Sequence, residues 1–165
     1  MGILEEERMP DESNVMRWGL ILAAAVIVLR IVLEQAGAPE KLSFFCGVAW
    51  LYFAFPVLFA LSIRAHNAAG PFKSLLKDVL LFVLCTRVMV MITYMLAYVF
   101  SWKPSRFAYP GGTVGENVSV WAGIFLIPLR NLLIWTVMTT ILGMIIGSIT
   151  LLLKRKGSSP TAAAQ

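Results

Sequence analysis

Three arginines stand where the surrounding sequence offers almost no other charge: Arg30, Arg87 and Arg130. Arg87 is the deepest, eight residues into an apolar run that begins at Val79, which is about 12 Å along a helix rising about 1.5 Å per residue. A cation at that depth in a bilayer costs at least about 2.5–3.5 kcal/mol, so it faces a bundle interior or a wet cavity and needs a partner. One chemistry open to it is contact with an anion, a lipid phosphate or a charged substrate. The structural alternative is that the side chain runs back toward the nearer surface, or ties helices together through backbone carbonyls. No acid lies at matching depth in another apolar run, so the sequence alone names no partner for it.

Arg30 and Glu34 are one helical turn apart near the end of the first apolar run, where they neutralise each other. Arg130 and Asn131 open the last run on the same side, and with Glu116 of the preceding loop they could converge on Arg30 in a polar pocket suited to lipid head groups. Arg130, just behind Pro128, fits an interfacial anchor equally well. Further along, Thr136, Thr140, Gly143, Gly147 and Thr150 recur at steps of four, three, four and three, which places them on one helix face. Gly143 and Gly147 have the small-xxx-small spacing that lets helix backbones approach closely. That face either packs inside its own bundle or docks a partner membrane protein or a second copy. The second apolar run is rich in aromatics from Phe44 to Phe59, with Pro56 expected to kink it.

Other chemistries are missing their residues. His66 is the only histidine and falls in a connection, so no pair of imidazoles inside the apolar runs can hold a haem or a metal. Cys46 and Cys85 lie in different apolar runs without metal spacing and read as small packing residues. No nucleophile, zinc-protease or phosphate-loop motif occurs. Neither a catalytic set nor a cofactor is therefore expected. The net charge of +5 comes from basic residues scattered at run ends, not from a basic stripe, which argues against nucleic-acid binding.

The elements that must position these residues follow from composition. Of the 165 residues 59% are hydrophobic and 14% charged, against about 45–50% and about 25% in soluble domains, and the mean hydropathy is +0.80. A bilayer core of about 30 Å needs about 20 apolar residues in helix, and four stretches qualify. The sequence predicts an all-α integral membrane protein, a four-helix transmembrane bundle over 16–153 with spans at about 16–35, 43–65, 75–102 and 129–153. The last apolar stretch, Val118 to Leu153, is too long for one span, and Pro128 offers a break. That predicts a short interfacial or re-entrant segment at 118–127 before the fourth helix.

Basic residues accumulate on the cytoplasmic side of membranes, and here eight fall in the termini and the central connection, against three in the other two connections. Both termini are therefore expected in the cytoplasm, with the chain in the plasma or inner membrane. The acidic head, residues 1–15, is expected to be disordered, and the tail, residues 154–165, is expected to be basic at first and disordered after Lys156. A cleavable signal peptide is not expected, because the first seventeen residues carry five acids against two arginines and Arg30 interrupts the apolar stretch. Myristoylation at Gly2 is disfavoured by Glu6, where that motif needs Ser or Thr. Asn117-Val118-Ser119 forms a glycosylation sequon, meaningful only in a eukaryotic secretory membrane.

These features point first to a non-catalytic subunit or assembly factor of a membrane complex, resting on the bilayer and on a partner helix or second copy at the fourth helix. A small transporter or channel for an anionic or lipid substrate passing Arg87 is the alternative, and an enzyme acting on lipid head groups is a third.

Overall fold

The computed structural model describes residues 12–66 and 70–153. The expected disordered tail, and the first eleven residues of the acidic head, lie outside the described residues. Helix α1 covers Glu12–Gln35, α2 Glu40–Phe45, α3 Leu51–Ala65, α4 Pro71–Val99 and α5 Ile127–Leu153. Residues 12–15, expected within the disordered head, form the first turn of α1. No strand occurs among the described residues; a single isolated bridge joins Ala108 to Val114.

Among the described residues four helical stretches are long and apolar enough to cross a membrane: Asn14–Gln35, Glu40–Ala65, Pro71–Val99 and Ala122–Leu153. Helices α3 and α4 pack against each other at the centre, and α1 and α5 each lean on both of them without touching one another. The core is an aromatic and aliphatic cluster in which Phe55 stacks on Phe82 at 4.7 Å between ring centroids and Phe59 meets the same ring edge-on at 5.8 Å. The outward faces stay apolar, as at Val28, Leu133 and Met138, each more than half exposed. A soluble helix would carry charge on that side.

Two elements differ from the sequence expectation. The second apolar run is not one unbroken helix: it stops at Cys46 and Gly47, passes through a 3-10 turn at Val48–Trp50, and resumes as α3. Gly47 is extended there, and a Cβ on it would stand 2.9 Å from Arg30 Nη1 and 3.0 Å from the Phe44 carbonyl oxygen, so a side chain there would displace the Arg30 guanidinium.

Residues 118–127 do not form a segment separate from the fourth helix. The chain is helical from Val120, runs through a π-helical turn at Ala122–Leu126 and continues directly into α5. Pro128 does not break it. Proline disrupts a helix by lacking an N–H and crowding the carbonyl four residues back, and a π turn immediately before it re-routes that hydrogen-bond ladder. Pro56, expected to kink its run, lies inside α3.

The connection from Phe100 to Ser119 folds back on the bundle end. Phe107 is fully buried, Val114 donates its N–H to the Phe107 carbonyl at 2.7 Å, and the Thr113 hydroxyl donates to the Tyr94 carbonyl at 2.9 Å.

Candidate functional site

Arg87 lies near the middle of α4, sixteen residues after Pro71 and twelve before Val99, or about 24 and about 18 Å along the axis. Its guanidinium does not run back to a surface. The guanidinium carbon stands 4.7 Å from the centroid of the Tyr52 ring on α3 and 5.3 Å from that of Trp135 on α5, so the cation joins three helices through two aromatic faces. Such contacts contribute about 0.5–2 kcal/mol each, enough together to offset the minimum insertion cost of about 2.5–3.5 kcal/mol in large part. Among the described residues, the Nε of Arg87 is buried without a hydrogen-bond partner.

The ring under the cation is itself fixed. The Tyr52 hydroxyl donates to the Thr86 Oγ1 at 3.1 Å, and the Thr86 hydroxyl in turn donates back along its own helix to the carbonyls of Phe82 and Val83 at 2.8 and 2.9 Å, which share its one proton. Tyr52 is 2% exposed and Thr86 wholly buried, so this polar pair is sealed beside Arg87. On its other side Arg87 borders a crevice of about 30 Å³ between α4 and α5, lined also by Tyr94, Pro128, Asn131 and Trp135. That volume admits a carboxylate group or one or two waters.

A second polar cluster closes the bundle end opposite the described chain ends. Glu34, at the end of α1, receives Arg30 Nε at 2.8 Å as its sequence spacing predicts, and also Arg106 Nε at 2.7 Å. Arg106 comes from the loop after α4 and stacks over Phe107 with its guanidinium carbon 4.2 Å from the ring centroid. Burial draws its guanidinium below the ordinary arginine value, while the Glu34 carboxylate opposes that shift. Ser105 donates to Glu40 at 2.9 Å and fastens the same loop to the start of α2.

The proposed quartet does not share one pocket. Arg30 borders a cavity of about 160 Å³ with Glu34 and Arg106, Asn131 lines the crevice beside Arg87, and Glu116 lines a third cavity with Tyr98 and Ser101. Arg130 is exposed and lines none of these three.

The small-residue face of α5 is occupied within the chain. A Cβ on Gly143 would stand 2.8 Å from Val79 Cγ1 and 3.2 Å from Pro56 Cγ, and one on Gly147 would stand 2.8 Å from Leu75 Cδ2 and 3.2 Å from the Pro56 carbonyl oxygen. The buried edge runs Thr139, Gly143, Gly147 and Leu151, at steps of four. Thr136, Thr140 and Thr150 flank it half-buried. Thr150 donates to the Ile146 carbonyl at 3.0 Å, whereas the hydroxyls of Thr136 and Thr140 are buried without a partner.

Sequence reasoning did not find Tyr52, Trp135, Thr86 or Arg106 as site residues. Tyr52 and Trp135 belong to helices far from Arg87 in the chain, and nothing in local spacing joins them. The weak signal for Arg106 was Glu34, an acid in an apolar setting whose one turn-mate leaves an oxygen free to accept again.

No family model matches the sequence, and no curated protein or solved structure matches it either.

Proposed function

We propose that this chain crosses a membrane four times with both termini in the cytoplasm of a plasma or inner membrane, and serves there as a non-catalytic subunit or assembly factor. The four long apolar helices, their apolar outward faces and the distribution of basic residues support the membrane placement. The observation that carries the functional reading is Arg87: a mid-helix cation held by two rings, with a buried Nε that no described residue accepts, beside a crevice of about 30 Å³.

A carboxylate on a partner's transmembrane helix fits that place. Lipid phosphates sit at the interface, and about 18 Å of helix separates Arg87 from the nearer end of α4. The partner helix lies along the α4–α5 crevice, because the glycine edge of α5 is already filled by Pro56, Leu75 and Val79. A crevice of this volume supports contact with one group more than passage of a solute, which ranks transport of an anionic or lipid substrate second. An enzyme acting on lipid head groups ranks third, since its four expected residues are spread over separate places.

The test is affinity purification from native membranes in mild detergent, with wild type beside Arg87→Leu. Wild type is expected to retain a membrane protein with an acid inside a span, and the variant to lose it while remaining helical by circular dichroism and monodisperse in detergent. Recovery of wild type as a lone monomer would overturn the reading, and anion flux in proteoliposomes abolished by Arg87→Leu would favour transport instead.

A further inference from the structure

The cluster around Glu34 leaves donors over. Both arginines spend their Nε on Glu34, at 2.8 and 2.7 Å, which leaves their terminal nitrogens to be satisfied elsewhere. Arg106 Nη2 is buried without a partner, and so is the Ser43 hydroxyl, on a residue only 3% exposed. Arg30, Glu34, Glu40, Ser43, Phe44 and Arg106 all line one cavity of about 160 Å³. Two guanidiniums and a hydroxyl surrounding one space make a phosphate site, because guanidinium N–H groups match phosphate oxygens in pairs.

The charge count narrows the ligand. Arg30 and Arg106 are balanced by Glu34 and Glu40, so the pocket is formally neutral, and a bare phosphate would leave it anionic. A group carrying phosphate and ammonium together leaves it neutral, with the phosphate toward Arg106 and Ser43 and the ammonium toward the exposed Glu40. The rim adds an apolar side: Phe44, Phe45 and Trp50 are each more than half exposed around the break between α2 and α3. Aromatics of that kind settle at head-group level, beside acyl chains. We propose that this cavity binds the phosphoethanolamine head group of a phospholipid, with Arg30, Arg106 and Ser43 on the phosphate and Glu40 on the ammonium.

The full chain, delipidated in mild detergent, is titrated with phosphatidylethanolamine, phosphatidylglycerol, phosphatidylcholine or inorganic phosphate, and retained lipid is read by native mass spectrometry. Phosphatidylethanolamine is expected to be retained best, with Arg106→Gln lowering retention about tenfold or more, as for loss of a charged hydrogen bond. Glu40→Gln should erase the preference over phosphatidylglycerol. Ser43→Ala guards against misfolding: removing a buried hydroxyl without a partner should leave the lipid-free melting temperature unchanged or raised, yet weaken retention. Equal retention of all three lipids, equal protection by inorganic phosphate, or a Ser43→Ala variant that binds as wild type would each overturn the proposal.

Discussion

Pro56 of α3 and Gly143 of α5 meet at the centre of the bundle, where a Cβ on the glycine would stand 3.2 Å from the proline Cγ. The Pro56 carbonyl oxygen also faces Gly147, 3.2 Å from its Cβ position, so one proline occupies both steps of the small-residue edge. An N–H-poor turn in one helix is thus covered by the bare backbone of another.

Gly143→Leu should therefore force α3 and α5 apart, at a cost of about 1–3 kcal/mol or more for overpacking. Gly143→Ala should cost less, because one methyl meets the Val79 methyl at 2.8 Å and the Pro56 ring at 3.2 Å, whereas leucine drives three further carbons into the same contact. Melting in detergent orders the three proteins, and a leucine variant as stable as wild type would contradict the tight contact.

The Arg87 sandwich predicts coupling between residues on different helices. Trp135→Leu should destabilise wild type by about 0.5–2 kcal/mol through the lost cation–π contact, and by much less in an Arg87→Leu background. A double-mutant cycle on the purified chain measures the difference, and full additivity would mean that the ring and the cation do not interact.

Thr86→Val and Tyr52→Phe should each cost about 0.6 kcal/mol, up to about 1.7, which is the range for hydrogen bonds between transmembrane helices. The pair should cost little more than one alone, since both remove the same 3.1 Å bond. Strict additivity in unfolding titrations would argue against that bond.

Glu34→Gln should be the costliest polar change at the other cluster, because it weakens two charged hydrogen bonds of about 1.5–3 kcal/mol each. Arg30→Gln leaves Arg106 on the carboxylate and should cost less. Hydrogen exchange of residues 100–119 reports the same event: Glu34→Gln should speed exchange there, since Arg106 and Ser105 tie that loop to α1 and α2.

Four apolar helices, the turn-mate pair Arg30–Glu34 and the small-residue face at Gly143 and Gly147 were all legible in the sequence, because each depends on spacing along one chain segment. Helical period and apolar length are local properties, and they need no partner to be read. What fills the glycine edge, what stacks on Arg87 and what second cation reaches Glu34 were not legible. Pro56, Tyr52 with Trp135, and Arg106 come from other helices or loops, and only packing brings them within 3 to 5 Å or so of their partners. The misread break at Pro128 has the same origin. Proline stops a regular α-helix, but a π turn at Ala122–Leu126, with Gly123 closed against Tyr98 of α4, carries the helix past it.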